Sequence, residues 1–329
     1  MRKWQRLSVM PLAVCAAICL ANASWLLGKP GKSILVTHLG AAQGFEEQGL
    51  TLYSCKADRI HRPLAPYLEN TIPAVARAFA LGAEMADVDI HPTSDGEFVV
   101  FHDWTVDCLT DGHGTTRDLP IATLKRLDIG YRLTFDHGRT FPFRGKFVGA
   151  MPTLREMLAA FPARSFILVI KSNDPAEADL LVDYLKRRNV DFHRIRIFGG
   201  ERPVARLHAV APQLVASSEA TVKTCLIRYL AMGWTGFIPS ACRNAVVPVP
   251  LNYRRLLWGW PNLFVDRMAK VNSLVLLSGP YERHSDKPGM NFIDSREQLD
   301  SLPADYAGAI FVGRMEVIGP AARRRGMLR

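Results

Sequence analysis

The segment Asp87-Val88-Asp89-Ile90, with Asp95-Gly96 and then Val99-Val100-Phe101-His102-Asp103 behind it, decides how this chain is read. Ser94-Asp95-Gly96 has the residues of a tight turn, and the runs on either side are apolar, so the segment reads as a β-hairpin. Side chains two apart on a strand share a face, so Asp87 and Asp89 project together. Two carboxylates at that separation suit a hard cation that takes oxygen ligands. The second strand delivers His102, whose charge changes near neutral pH. Paired acids beside a histidine at a strand end point to metal-assisted acid/base chemistry.

On either side of the hairpin, short apolar runs alternate with helical patterns. Ser33–Thr37 reads as a strand ending at His38. Asn70–Leu81 has helical spacing at Ile72, Val75, Ala76 and Phe79, with Pro73 tolerated in the first turn. Beyond the hairpin come a Gly/Asp/Thr-rich loop from Thr105 to Thr116, a short helix over Leu119–Leu127 and an aromatic excursion from Gly130 to Gly149. Thr153 followed by Glu156 is a capping box that starts a helix running to Phe161. Phe166–Ile170 reads as a fully apolar strand and Glu177–Arg188 as an amphipathic helix. Arg194–Phe198, Gln213–Ala216, Gly236–Ile238, Ser273–Leu277 and Gly308–Val312 are further strand candidates. Strands alternating with helices imply parallel β/α units. The expected fold is therefore α/β, a closed (β/α)8 TIM barrel. His38, Asp87, Asp89, His102 and Lys171 all fall at or near strand ends, where such barrels place their sites.

The chain has 329 residues, 48% hydrophobic and 22% charged, with a net charge of +10. That balance is ordinary for a globular protein with a sizeable core. The positive charge suits a phosphate substrate or anionic headgroups, and without a long Lys/Arg block no nucleic-acid partner is expected. Arg2, Lys3 and Arg6 precede residues 7–28, which carry no charge. Such a run is long enough to span a bilayer, and its basic flank would stay in the cytoplasm. Residues 1–29 are accordingly expected to be a membrane anchor, or a signal segment cleaved after Ala23. Residues 30–329 form the barrel, expected outside the cytoplasm. There Cys55, Cys108, Cys225 and Cys242 can form disulfides. Three pairings are open, and Cys55 with Cys108 and Cys225 with Cys242 is the one expected. The Trp258, Trp260 and Phe264 cluster reads as core or membrane-facing surface rather than as a substrate cage.

These blocks, taken in order, resemble the glycerophosphodiester phosphodiesterase family of phospholipase-C-like barrels. The matching residues are His38-Leu39-Gly40, Glu69-Asn70-Thr71, Gly82-Ala83-Glu84 with Asp87 and Asp89, Asp95-Gly96, His102-Asp103, Pro152-Thr153-Leu154 and Val169-Ile170-Lys171. The likeness is clear from Ile34 to Asp174 and faint from Arg194 onward. Leu39 stands where the family has a phosphate-binding arginine, Asp87 replaces a glutamate, and Val169 stands where a third carboxylate for the metal is usual. His61-Arg62 offers a second register for the family's histidine. His38 is preferred because an apolar strand leads to it.

The resemblance implies cleavage of a glycerophosphodiester, or a lysophospholipid-like phosphodiester, to a glycerol phosphate and an alcohol. His38 and His102 would be base and acid. Asp87 and Asp89 would hold Ca²⁺ or Mg²⁺. Lys171 would pair with a phosphate oxygen, Glu69 would orient a basic group or complete the metal shell, and Arg62 would fold back to replace the arginine missing at Leu39. The partner is thus a small phosphodiester or a phospholipid headgroup, with the membrane engaged through the N-terminal segment. Two other readings stand beside this one: a catalytically impaired barrel that binds headgroups or a protein at the membrane, and a lyase that releases a cyclic phosphate.

Overall fold

The structure, a computed structural model, describes residues 13–46, 49, 54–62, 64–282 and 290–328. Its strands are β1 (Ile34–His38), β2 (Ala83–Pro92), β3 (Phe98–Val100), β4 (Ser165–Ile170), β5 (Ile195–Gly199), β6 (Val215–Ser217), β7 (Val246–Pro250), β8 (Leu274–Ser278) and β9 (Ala309–Val312). Around them run α1 (Ile72–Ala80), α2 (Leu154–Ala160), α3 (Ala176–Arg187), α4 (Glu201–Val210), α5 (Glu219–Met232), α6 (Asn262–Ala269), α7 (Arg296–Asp300) and α8 (Met315–Arg324). The parallel order is β6-β5-β4-β2-β1-β9-β8-β7, with β3 antiparallel on β2. This is a nearly closed, TIM-like barrel of parallel strands.

Two-residue alternation along the strands separates two cores. Val36, Met85, Ile167, Val246, Leu276 and Phe311 fill the barrel. Their neighbours Leu35, Val88, Phe166, Leu168, Val247 and Ile310 pack outward against the helices. A third apolar cluster lies in the loops that follow β1 and β3. There Ala57, Ile60, Leu68, Phe101, Leu109 and Leu133 are buried together. The Cys55–Cys108 disulfide joins these two loops, with Cα atoms 5.4 Å apart. The second disulfide, Cys225–Cys242, ties α5 to the turn ahead of β7 at 4.8 Å. Both pairings are those expected from the sequence.

Local chemistry sets the element ends. Thr153 Oγ1 accepts from Glu156 N at 3.0 Å and Glu156 Oε2 accepts from Thr153 N at 2.8 Å, completing the capping box of α2. The hairpin turn falls at residues 94–96 as expected, with Gly96 at φ +76° and Ile90 paired with Val100.

One strand is not where the sequence suggested. Gly236–Ile238 is not a strand. Gly236 closes a 3₁₀ turn at φ +83°, and β7 lies ten residues later over Val-Val-Pro-Val-Pro. Its prolines hide it, because a proline cannot donate to a ladder. The fold accommodates them at a seam. Val246 N donates to Ser217 Oγ on β6 at 2.8 Å. Pro248 and Pro250 share that parity, so their missing N–H groups face β6, where β7 has no ladder partner.

The expectation of a membrane-spanning anchor is not met among the described residues. Residues 13–21 are helical, the chain breaks at Asn22-Ala23, and no helix among the described residues is long and apolar enough to cross a membrane. Residues 7–12 of the uncharged run lie outside the described residues. The part that follows is stitched to the barrel instead. Buried Ser24 Oγ accepts from Asn262 N and Leu263 N at 2.9 and 3.1 Å, capping α6. Arg267 donates to Asn22 Oδ1 at 2.8 Å and to Ala21 O at 3.2 Å. An uncharged run carries no sign of such contacts, so it reads as a span, and a barrel held outside the cytoplasm by that span does not follow.

Candidate active site

The strand ends converge at one mouth of the barrel. β1 ends at His38, and the chain turns sharply there. Leu39 sits at φ +56° and Gly40 at φ +96°. A Cβ on Gly40 would lie 2.7 Å from the Ala74 carbonyl carbon, so the turn presses directly on α1. Leu39 N donates to Asp87 O, and Leu39 O accepts from Asn70 N. The His38 ring stacks on Phe292 at 4.3 Å and meets Phe311 edge-on at 5.6 Å.

β2 presents Asp87, Asp89 and His91 on its inner face, all nearly inaccessible to solvent. Asp89 is the centre of the cluster. Asn70 Nδ2 donates to Asp89 Oδ2 and Asn70 Oδ1 accepts from Asp89 N, both at 3.1 Å. Lys171, just past the end of β4, places Nζ 3.3 Å from Asp89 Oδ1. Burial alone would raise the Asp89 pKa, but the charges of Lys171, His102 and His38, with the Asn70 hydrogen bond, hold it well below the usual carboxylate range. Asp87 goes the other way. Burial, then the negative charge of Asp89, push it well above the usual range against the pull of Lys171. Asp87 is level with His38 and Ile167. It lines a small cavity with Ile167, Val169, Phe198, Leu276 and Phe311, and its Oδ1 is buried with no hydrogen-bond partner.

β3 leads directly to His102, whose Nδ1 lies 2.7 Å from Asp103 Oδ1. Burial pushes Asp103 up, but the His102 hydrogen bond and the Lys56, His102 and Lys171 charges outweigh it and hold the carboxyl below its usual range. His91 Nε2 is 3.4 Å from the His102 carbonyl oxygen. His38 differs from His102 in its surroundings. Burial lowers it to about 3, Asp89 opposing and His102, Lys56 and Lys171 reinforcing the shift. His38 is therefore neutral across the ordinary pH range and able to accept a proton.

Of the residues expected from the sequence, His38, Asp87, Asp89, His102 and Lys171 come together. Glu69 joins them through Lys56, whose Nζ is 2.5 Å from Glu69 Oε1. Arg62 does not fold back. It is exposed, with its guanidinium 3.7 Å over the Phe135 ring. His61 is exposed in the same loop, 3.6 Å from the Glu46 carboxylate. The alternative register is thus no part of this cluster. Trp258 and Trp260 pack against the core beside buried Phe264, as expected. Sequence reading passed over Lys56, and it quoted Asn70 and Asp103 within the family's motifs without giving them a role in the site. For Lys56 the available signal was its neighbour Cys55.

The cluster is a poor match for a divalent cation. Such ions take about six to eight oxygen ligands. Among the described residues no group of three His, Cys, Asp or Glu is placed to hold a metal. Asp89 is committed to Lys171 and Asn70. Val169 lines the cavity beside Asp87 where a third carboxylate was expected. The donors present do not fit the Ca²⁺ or Mg²⁺ that Asp87 and Asp89 suggested.

Comparison with known proteins agrees with this fold. The sequence model of the glycerophosphoryl diester phosphodiesterase family matches residues 61–218, which span β2 to β6. A glycerophosphodiester phosphodiesterase of Caldanaerobacter subterraneus is 33% identical over 129 residues, 37% of this chain and 49% of the relative. One from Bacillus subtilis is 30% identical over 135 residues, covering 40% and 45%. The chain thus spans about half the length of the curated relatives it matches. Likeness in fold extends further. The crystal structure of a glycerophosphodiester phosphodiesterase from Agrobacterium tumefaciens matches 88% of this chain and 99% of its own, with a TM-score of 0.54 at 18% identity. A phosphodiesterase from Oleispira antarctica matches 92% and 99%, with a TM-score of 0.53 at 14% identity. Motif order, barrel topology and these matches agree: residues 61–218 carry the sequence pattern of the glycerophosphodiester phosphodiesterase family, and the barrel has the fold of its solved members.

Proposed function

We propose that this chain is a phosphoric diester hydrolase that cleaves a glycerophosphodiester to a glycerol phosphate and an alcohol, with His38 and His102 moving the protons. The observation that carries the reading is the gathering of two histidines, His38 stacked on Phe292 and His102 hydrogen-bonded to Asp103, around the Asp89–Lys171 pair at the mouth of the barrel. The Oleispira antarctica phosphodiesterase was solved in complex with sn-glycerol-3-phosphate, a product of the proposed class.

Hydrolysis needs a proton removed from the attacking water and one given to the leaving oxygen. His38, kept neutral by burial, is assigned as the base, with an anionic phosphate beside it raising its affinity for the proton. His102, held at Nδ1 by Asp103, has its other ring nitrogen free to give a proton to the leaving alkoxide. Lys171 sets an ammonium beside the reacting phosphate, and Asp89 with Asn70 fixes it there. Positive charge where the transition state gathers negative charge is the largest single aid to such a reaction. Glu69 acts through Lys56. Asp87, buried against apolar side chains, underlies the site rather than facing the substrate.

The test is choline release from glycerophosphocholine by the purified chain. His38→Ala and His102→Ala are expected to cut turnover by roughly 10²–10⁴-fold with unchanged thermal unfolding. Full activity in both variants would remove the acid/base assignment.

A further inference from the structure

Lys56 has no place in the sequence pattern, yet the fold brings it to the site. Its side chain is 12% exposed and paired to a Glu69 side chain that is 14% exposed. Its ammonium also lies 4.6 Å over the Phe45 ring. Glu69 and Phe45 border the same small cavity as His102, together with Leu68, Phe101 and Leu109. The loop is anchored on both sides of the lysine. Cys55 is bonded to Cys108, six residues beyond His102, and Ala57 is buried in the loop core. Lys56 is therefore fixed to the segment that carries His102.

A nearly buried ammonium at this mouth is placed to meet an anion. A phosphodiester carries one negative charge and its monoester product carries more. Lys171 alone is largely offset by Asp89. Leu39 offers no charge and is buried. Arg62 lies over Phe135, and Arg117 is bound to Asp174 and Glu177. Burial opposes the charged form of Lys56, but Glu69, Asp103 and Asp89 more than restore it, so the ammonium stays charged.

We propose that Lys56 binds the substrate's phosphate, forming with Lys171 a two-lysine anion site in place of the arginine and divalent cation that the donors here do not provide. This rests on the phosphodiesterase reading and names a residue that reading does not need. Glu69 is then a positioning residue that holds the ammonium until phosphate arrives. Lysine meets phosphate as a point charge, so arginine should substitute in part.

The experiment measures inorganic phosphate binding by calorimetry in the presence of EDTA, together with glycerophosphocholine kinetics. Lys56→Met is expected to weaken phosphate binding and raise KM by roughly 10- to 100-fold, the range of one hydrogen bond to a charged group, with a smaller change in kcat. Lys56→Arg is expected to recover most of both. Should Lys56→Met unfold with Glu69 left unpaired, the double variant Lys56→Met/Glu69→Gln takes its place. Wild-type phosphate affinity in these Met variants would overturn the proposal and make the Lys56–Glu69 pair purely structural. Absence of phosphate binding to the wild type without added metal would overturn it too. The two readings fail separately. Turnover lost in His102→Ala but unchanged in Lys56→Met sinks only the lysine proposal, whereas Lys56-dependent phosphate binding without any turnover sinks only the enzymatic one.

Discussion

Replacing Lys171 by Met separates what the Asp89–Lys171 pair does for the fold from what it does for catalysis. The charges are 3.3 Å apart, and the side chains are 21% and 5% exposed. At an effective dielectric of about 20, Coulomb attraction at that distance is roughly 5 kcal/mol, most of it cancelled by the cost of taking both ions from water. Removing one partner leaves the other buried and unpaired, which costs about 3–5 kcal/mol in a dry interior. Lys171 is partly wet and Asn70 still serves Asp89, so about 2–3 kcal/mol is expected. Asp89→Asn should cost about 2 kcal/mol. The double variant should cost clearly less than the sum, because it leaves no stranded charge. Urea unfolding at pH 7, followed by tryptophan fluorescence with the disulfides intact, gives all four corners of the cycle. Glycerophosphocholine turnover should fall in all three variants, since stability can be restored without restoring the ammonium. Asp89 has a depressed pKa, so its contribution is present above the ordinary aspartate value near 3.9 and is lost as the pH falls through its lower folded value. The coupling should therefore be the same at pH 7 and pH 5. Strict additivity of the two single variants would refute the reasoning, for it would mean that the ions do not meet.

Three further outcomes follow from the structure. Gly40→Ala should be far more damaging than Gly96→Ala: both have positive φ, but only Gly40 lacks room for a Cβ, so the first should fail to accumulate as folded protein while the second loses about 1 kcal/mol by urea titration. Burial lowers His38 to about 3 and His91 to about 4; the unfolded chain then binds the extra protons, so stability should fall as the pH drops from about 6.5 toward 4, and His91→Gln should flatten that slope. Cys55→Ser/Cys108→Ser should raise KM for the phosphodiester by freeing the Lys56 loop, whereas loss of the Cys225–Cys242 bond should cost about 3 kcal/mol of stability without changing KM.

Parity and turn chemistry made half of the site legible before any coordinates. Asp87 and Asp89 share a strand face, and Asp95-Gly96 turns the chain so that β3 runs straight into His102. The capping box at Thr153 likewise follows from spacing alone. Three features were hidden for identifiable reasons. β7 contains two prolines, which argue against a strand unless its neighbour is known to make no ladder with it. Lys56 depends on a covalent bond between loops, and no periodicity reports that. At the N-terminus, Ser24 caps a helix more than two hundred residues away. Hydropathy sees an unbroken run there. The Asp pair was legible as a pair but not as to role, because whether two acids hold a metal depends on Lys171 and Val169, which arrive from another strand.

The seam beside β7 bears on how the chain assembles. Followed through its hydrogen bonds, the barrel is a ribbon with β6 at one end and β7 at the other, and β1 lies in its interior between β2 and β9. A nascent chain can lay down β1, β2, β4, β5 and β6 as one continuous sheet before β7 leaves the ribosome. The last three strands must then dock on the far edge of β1, and two isolated bonds, Ala216 N to Asn244 O and Val246 N to Ser217 Oγ, stand where a ladder would close the cylinder. The completed molecule keeps a record of that route. Amide exchange should be faster at Ser217, Val247 and Val249, on strands with a ladder on one side only, than in β1 and β2, which have partners on both sides.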